Sequence, residues 1–342
     1  MLDYKKDGRK ALLALAPTLV LMAIFTFWPI ISTIITSFME GYTFNVWYDT
    51  RYAYGWIEHF GETIIHQEYN ELGEPTGEIT KIYFGFGFGN YVKLFKDDIF
   101  ILALKNTAIM VIISVPLAVI IALLIAVALN GIKKFQGFFQ TLYFLPYVTN
   151  TIALGLVFSA MFSAKSGLVN SLLISLGMEP VAWVNALGND IYPTRESALF
   201  VITLYTIWSG LAFKILVFLS GMQSIDKQYY QAAQIDATPK WRVFTRITVP
   251  LLSPMIAYIT ITSFIGAFKA YTQVISVFNN RYGPASNPNM LITVVGYIYD
   301  ALAQKQAMGK LAQASAASLV LFAIIMVITM VQLWINKKKV HY

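Results

Sequence analysis

The chain has 342 residues, 57% of them hydrophobic and only 13% charged, so it carries more apolar surface than one soluble core can bury. The net charge of +7 does not indicate nucleic acid as a partner, because the basic residues cluster in short segments beside apolar runs. Cysteine is absent, and the histidines His59, His66 and His341 all lie outside the apolar runs. The composition predicts an all-α integral membrane protein without a cysteine- or histidine-based catalytic or metal centre.

Six apolar runs follow one another along the chain, each long enough for a helix to cross ~30 Å of hydrocarbon. They lie at residues 11–38, 101–130, 138–163, 197–222, 251–279 and 313–336. The first run is too long for the core of a cleaved signal peptide, so it is predicted to remain as a span. Six spans place both termini on the same side of the membrane.

The distribution of positive charge predicts which side that is. The segments 1–10, 131–137, 223–250 and 337–342 hold 13 of the 25 lysines and arginines. Because loops rich in these residues stay in the cytoplasm, the four segments and both termini are predicted to be cytoplasmic.

The first external segment, residues 39–98, holds ten acidic residues against four basic ones. It is too long for a bare connection. Residues 63–69 and 78–84 are rich in Ile, Thr, Tyr and Phe, and glycine and proline punctuate 73–77, which predicts a small β-hairpin. Two interpretations stay open: a solvated hairpin beside an interfacial aromatic belt, or a cap that touches an external protein.

The polar, basic loop 224–250 separates the fourth and fifth apolar runs. Asp226 is a predicted N-cap for a short helix over 227–236. Thr238 is predicted to cap a second short helix with Pro239 at its first position. The loop is therefore expected to be a helix-turn-helix.

The second short helix, predicted to run to about Thr248, has two different faces. Its apolar stripe consists of Trp241, Phe244 and Ile247. Its cationic face consists of Arg242 and Arg246. One face is expected to pack and the other to stay in water.

The same loop carries a spaced motif. It has Gln231-Ala232-Ala233, three residues, Ala237, nine residues, and Ile247-Thr248-Val249-Pro250. In this pattern the chain resembles the permease subunits of bacterial ABC importers, whose cytoplasmic signature is Glu-Ala-Ala, three residues, Gly, nine residues, Ile-x-Leu-Pro. Glu, Gly and Leu of the signature are replaced here by Gln231, Ala237 and Val249.

The resemblance implies that the loop docks into a cleft of an ATPase subunit. The implied coupling residues are Gln231, Ala232, Ala233, Asp236, Ala237, Trp241 and Arg242. If the turn at Ala237 needs a positive φ, alanine strains it by roughly 1 kcal/mol, so the turn is expected to relax. The alternative is an ordinary amphipathic loop between two spans.

The resemblance extends over nearly the whole chain except the 39–98 insert, and it points to the carbohydrate-importing branch. Its further motifs are Phe88-Gly89-Asn90-Tyr91, Asn106-Thr107, Leu145-Pro146, Gly167-Leu168-Val169-Asn170, Trp183, Trp208-Ser209-Gly210 and, only in part, Arg281-Tyr282-Gly283-Pro284. They imply the six-helix fold of type I importer permeases, divided into residues 1–38 (N-terminus and first span), 39–98 (insert) and 99–342 (permease core).

The resemblance also implies partners and a location. It implies a second permease, two ATPase subunits that bind ATP and Mg, and an external solute-binding protein, all at a bacterial plasma membrane. The implied solute is a mono- or oligosaccharide, sometimes a glycerol phosphate. Separately, Lys269 in the solute path would favour an anionic solute such as a uronate or a sialic-acid-bearing sugar. The 39–98 cap would then be a contact for the solute-binding protein.

No acidic residue lies in any of the six apolar runs, which argues against a proton- or sodium-coupled carrier. The chain also lacks a G-x-x-x-x-G-K-[ST] phosphate loop, so ATP hydrolysis is expected on a separate subunit and this chain is not expected to be an enzyme. Two rival functions remain: an importer of the same architecture for an amino acid, polyamine or organophosphate, and a stand-alone channel or ion-coupled carrier.

Three lysines lie in the apolar runs. Lys105 is close to the outer end of its run and Lys214 lies in the inner half of its run, and snorkelling explains both. Lys269, Thr272 and Gln273 fall within four residues and are predicted to share one helical side that faces a pore or a partner helix. The predicted solute path consists of these three residues and the aromatic side chains Tyr205, Trp208 and Tyr271, which can stack on sugar rings. The alternative is hydrogen bonding to the partner permease.

Overall fold

A computed structural model of the chain describes residues 4–42, 60–69, 75–132, 136–303 and 310–339. Four of the described helices are long and apolar enough to span a membrane, namely Ala11–Phe38, Asp98–Gly131, Arg195–Gln223 and Lys310–Lys337. A fifth candidate is a pair of helices, Lys240–Leu251 and Ser253–Phe268, bent by 69°. The prediction of an all-helical, multi-pass architecture is confirmed at the level of these four or five spans.

The elements have the following bounds. The helices are α1 Tyr4–Met22, α2 Trp28–Phe38, α3 Gly89–Lys96, α4 Asp98–Gly131, α5 Gln136–Val148, α6 Thr151–Met161, α7 Leu168–Ser175, α8 Arg195–Gln223, α9 Lys227–Ile235, α10 Lys240–Val243, α11 Val249–Leu251, α12 Ser253–Phe268, α13 Thr272–Val277, α14 Val294–Ala303 and α15 Lys310–Lys339. Two π-helical turns, Ala23–Phe27 and Phe244–Thr248, join α1 to α2 and α10 to α11. The strands are β1 Met39–Glu40, β2 Thr63–Tyr69, β3 Pro75–Tyr83 and β4 Gly85–Phe86.

The third apolar run does not form one helix. It breaks at Thr149 and Asn150, where α5 ends and α6 begins. The Asn150 Oδ1 accepts hydrogen bonds from the N–H groups of Ile152 (2.8 Å) and Ala153 (3.4 Å), which caps the new helix. Hydropathy alone predicted a continuous span over 138–163, because one polar pair does not interrupt an apolar average.

The fifth apolar run is broken as well, and this corrects the prediction for Lys269. Helix α12 ends at Phe268, Lys269 is its C-cap with φ −90° and ψ 10°, and α13 begins only at Thr272. Between them Tyr271 has φ −146° and ψ −60°. Lys269, Thr272 and Gln273 therefore do not share one side of one helix, because the helical repeat is interrupted between the first and the other two.

The chain contains two compact units. One comprises Met1–Asp98 with Ile298–Phe322, and the other Ile99–Tyr297 with Ala323–Tyr342. In the first, β1 pairs with β4, and β2 pairs antiparallel with β3 in a register that joins Thr63 to Tyr83. Strand β3 begins at Pro75, within the segment where the sequence predicted a turn, and residues 70–74 lie outside the described residues.

The Phe88–Tyr91 motif has a structural role in the first unit. The Asn90 side-chain amide donates to the carbonyl oxygens of Ser37 (3.0 Å) and Met39 (3.1 Å), at the end of α2. The Tyr91 hydroxyl donates to Ser37 Oγ at 2.8 Å. Since Asn90 and Ser37 are buried, these bonds satisfy the carbonyls that a helix end leaves unpaired.

Two further asparagines of the family-like motifs hold the second unit together. Asn106 is fully buried and donates to the carbonyls of Met290 (3.1 Å) and Ile292 (2.9 Å), while Arg195 Nη2 donates to its Oδ1 at 2.8 Å. Asn170 bonds the backbone at Ala164 and Val181 and accepts from Trp183 Nε1 at 2.8 Å. These motif residues therefore cross-link loops and helices.

Candidate functional site

The loop between α8 and α11 contains the helix-turn-helix that the sequence predicts, with small shifts of its ends. Helix α9 is Lys227–Ile235, and Asp226 Oδ1 accepts from the Gln228 N–H at 2.9 Å. The second helix begins one residue later than predicted, because Pro239 is itself the N-cap with an extended ψ of 144°. No side-chain cap is present there, so the predicted Thr238 cap is wrong.

The turn between the two helices is a Schellman motif. The Thr238 N–H donates to the Ala233 carbonyl at 2.9 Å and the Ala237 N–H to the Gln234 carbonyl at 3.1 Å. This geometry requires a left-handed residue at the position of Ala237, whose φ is 48°. The expectation that an alanine here relaxes the turn is therefore wrong, and the turn keeps the conformation that favours glycine.

Large apolar side chains of this loop are exposed. Ile235 is 85%, Trp241 71% and Tyr229 54% exposed. The Trp241 and Phe244 rings are 5.4 Å apart, and the Tyr230 hydroxyl lies 3.3 Å from Thr248 Oγ1, which ties α9 to the following π-helical turn. Of the remaining predicted coupling residues, Gln231, Ala232, Asp236 and Arg242 are exposed, whereas Ala233 is only 6% exposed. Within the chain, Ala233 thus belongs to the packed side of α9.

The second unit contains a polar cavity of about 430 Å³. It lies among α4, the break between α5 and α6, α8, α12 and α13, and this volume is in the range of small-molecule sites, ~300–1,000 Å³. Its polar side chains come from six different helices and the α5–α6 break, namely Ser114, Tyr147, Thr149, Thr151, Thr206, Ser209, Lys214, Thr262, Ser263 and Gln273.

Several hydroxyls in this cavity already donate to their own helices. Thr206 donates to the Ile202 carbonyl at 2.8 Å, Ser209 to the Thr206 carbonyl at 3.3 Å and Thr262 to the Tyr258 carbonyl at 2.9 Å. Serine and threonine inside a helix commonly bond in this way. A hydroxyl that has used its hydrogen keeps its lone pairs. These side chains therefore face the cavity as acceptors, which suits a ligand rich in O–H donors.

Of the predicted path residues, Gln273 alone lines this cavity. Tyr205 is fully buried, and its hydroxyl donates to the Thr151 carbonyl at 2.6 Å, so its ring is not available for stacking on a solute. Trp208 lines a smaller, more apolar cavity of about 340 Å³. Lys269 is exposed, and Tyr271 and Thr272 lie outside the lining.

Sequence reasoning missed Ser114 and Lys214. Both line the cavity, and Lys214 Nζ donates to the Gly210 carbonyl at 2.9 Å. In the sequence Lys214 stands out only as a lysine inside an apolar run, which snorkelling explained, and Ser114 is one of several hydroxyl residues in these runs, such as Ser209 and Ser263. Such residues reveal a shared site only after packing brings their helices together.

The chain matches known proteins over most of its length. Residues 104–341 match the family model of the binding-protein-dependent transport system inner membrane component. The chain belongs to this family, and it is accordingly a multi-pass membrane subunit of an ABC transport system.

Two relatives and one solved structure are similar to this chain. The lactose transport system permease protein LacF of Rhizobium radiobacter is 36% identical over 217 residues, which cover 63% of this chain and 69% of LacF. The arabinooligosaccharides transport system permease protein AraP of Bacillus subtilis is 31% identical over 255 residues, 72% of this chain and 74% of AraP. A chain of the bacterial alginate ABC transporter in complex with an alginate pentasaccharide-bound periplasmic protein shares the fold, with a TM-score of 0.72 at 20% identity over 97% of this chain and 96% of that one.

Proposed function

We propose that this chain is a permease subunit of an ATP-driven importer for a saccharide, and that the 430 Å³ cavity is part of the solute path. The cavity carries the proposal, because it joins hydroxyl acceptors from several helices in a chain otherwise dominated by apolar side chains. Saccharide names recur among the relatives, which supports a carbohydrate over an amino acid, a polyamine or an organophosphate.

The proposed assembly contains a second permease, two ATPase subunits and an external solute-binding protein in a bacterial plasma membrane. The chain would cross the membrane six times with both termini in the cytoplasm, the α5–α6 pair forming one interrupted span. Broken helices at membrane depth are tolerated where they line a cavity, and Thr149 and Thr151 at this break both do so.

The loop 224–250 is the proposed contact for the ATPase. Ile235, Trp241 and Tyr229 are large apolar side chains exposed on an otherwise polar loop, and exposed apolar surface of this kind supports an interaction site. A short helix with aromatic anchors suits a groove on a partner. In the proposed topology the 39–98 insert, which contains the strand pair β2–β3, would face the outside of the cell and would be a contact for the solute-binding protein.

Two measurements test the proposal, co-purification of an ATPase with this chain and uptake of a saccharide by the reconstituted complex. The tagged chain should retain a nucleotide-binding ATPase in detergent, and proteoliposomes containing the complex and its binding protein should accumulate a labelled saccharide only with ATP inside. Uptake driven by a proton or sodium gradient without ATP would instead identify an ion-coupled carrier. Uptake of amino acids or polyamines in place of saccharides would identify an importer of another nutrient.

A further inference from the structure

The cavity contains one formal charge with no opposite charge among its lining residues. Lys214 is the single Asp, Glu, Lys or Arg among the residues that line it. Within the described part of the chain, its Nζ has one hydrogen bond, to the Gly210 carbonyl at 2.9 Å, and an ammonium has three N–H donors. Gly210 permits this arrangement, because a Cβ built there would lie 2.8 Å from that Nζ.

A second group in the cavity has no partner. Ser114 is 2% exposed, and its Oγ is buried without a hydrogen-bond partner among the described residues. Leaving a buried hydroxyl unsatisfied is costly, and most serines in a helix avoid it by bonding to a carbonyl one turn back. Because its Oγ is itself buried, Ser114 does not offer this hydroxyl to the cavity, and the unused donors that reach the cavity are those of Lys214.

The ends of the helices do not change this balance. The N-terminal end of α6 reaches the cavity at Thr151 and the C-terminal end of α12 reaches it at Gly266 and Ala267. A helix N-terminus is partly positive and a C-terminus partly negative, so the two contributions oppose each other. The net charge of the cavity is that of Lys214.

We infer that the cavity binds a saccharide carrying a carboxylate, with Lys214 as the counter-charge of that carboxylate. This rests on the proposed function and specifies its substrate class. One ammonium balances one carboxylate, whereas a phosphate carries about −1.5 to −2 charges near neutral pH and would leave negative charge in the membrane interior. The acceptor hydroxyls of Thr206, Ser209 and Thr262 receive the sugar O–H groups.

The test uses the complete complex in lipid nanodiscs, with Ser263→Cys as a reporter inside the cavity of this cysteine-free chain and with cysteine-free partners. The measurement is the saccharide concentration that halves the rate of thiol labelling. The probes are galacturonate, glucuronate and mannuronate disaccharides, each paired with its uncharged methyl ester, together with a neutral and a sulfated disaccharide.

At least one uronate should protect at a concentration about 10- to 100-fold lower than its ester, the factor expected for a hydrogen bond to a charged group. Lys214→Met should remove the difference between acid and ester, and Lys214→Arg should retain most of it. Lys105→Met is the matched control, since Lys105 is exposed on α4 outside the cavity, and it should leave the preference unchanged.

Ser114→Ala is a second control. The Ser114 Oγ is buried and has no hydrogen-bond partner among the described residues, so this substitution should leave the preference for the acid over its ester unchanged.

Three outcomes overturn the inference. Acids may protect no better than their esters in the parent complex, the preference may survive Lys214→Met, or the sulfated sugar may protect best. If neutral saccharides protect and are taken up while uronates do neither, the anionic assignment fails and the importer function stands. If no saccharide protects and none is taken up, the importer function fails with it.

Discussion

The Tyr205 hydroxyl donates a 2.6 Å hydrogen bond to the Thr151 carbonyl, which fixes the middle of α8 to the first residue of α6. Tyr205 itself is 0% exposed, whereas Thr151 is half-buried, so the bond is partly enclosed. Its ring also packs against Phe158 of α6, with centroids 4.9 Å apart. The residue that the sequence predicted as a stacking platform therefore positions the helix start that lines the cavity.

Tyr205→Phe should destabilise the complex, because it keeps the ring but leaves the Thr151 carbonyl without this donor. Loss of such a partly buried bond costs about 1–3 kcal/mol. Thermal unfolding of the purified complex measures the effect. A platform for sugar stacking would behave differently, because phenylalanine would preserve both stability and solute affinity.

Ala237→Gly should stabilise the turn between α9 and α10, because glycine adopts a φ of 48° without the Cβ penalty that alanine carries. The gain should be up to about 1 kcal/mol, seen as slower hydrogen exchange of the Thr238 amide, whose N–H closes the turn. Ala232→Gly is the control in the same loop. It should speed local exchange, because there glycine replaces alanine inside a helix. Equal effects of the two substitutions would contradict the left-handed turn.

Ala232 and Ala233 should respond differently to aspartate. Ala232 is exposed, so Ala232→Asp should leave this chain folded while it weakens ATPase binding, because a charge is placed in the proposed interface. Ala233 is buried within the chain, so Ala233→Asp should unfold the loop itself. Retention of the ATPase on tagged complexes and proteolysis of the loop separate the two effects. Gln228→Asp is the control, because Gln228 is exposed in the first turn of α9. If the Ala232→Asp complex retains as much ATPase as the parent complex, α9 is not part of the interface.

Lys269→Met should have little effect on saccharide affinity, since Lys269 is the exposed C-cap of α12 and does not line the cavity. The substitution removes the charge and keeps most of the side-chain volume. Uptake and assembly of the purified complex should both stay near parental values. A selective loss of uptake would return Lys269 to the solute path, and loss of assembly would assign it to the interface between the permeases.

The topology predicts which positions a membrane-impermeant thiol reagent reaches. A cysteine at Phe60, which is exposed beside the β2–β3 pair, should be labelled from outside intact cells, and one at Lys240 only after the membrane is opened. No cysteine has to be removed from this chain first. Labelling at Lys240 from outside would contradict the cytoplasmic assignment of the loop.

Local features could be predicted from the sequence more completely than the site. The Asp226 cap and the start of helix α9 depend on residues within one turn of each other, so the local sequence predicts both. The break at Asn150 is a capping signal too, but it lies inside an apolar run that hydropathy averages away. The cavity depends on the packing of helices that are distant in the sequence. Lys214 lines the cavity and Lys269 does not. The sequence predicted the reverse, because Lys269 lies deeper in its apolar run.

Uptake through a deliberately obstructed cavity is the decisive measurement. Ser263→Cys complexes with cysteine-free partners, reconstituted with the binding protein and ATP, should import labelled saccharide until a bulky thiol reagent modifies position 263, which lines the cavity. Ile120→Cys on the exposed face of α4 is the control, and its modification should leave uptake unchanged. We predict that modification at 263 stops import and that saccharide slows the modification. Import at the unmodified rate through a fully modified Ser263→Cys complex would contradict a solute path through this cavity.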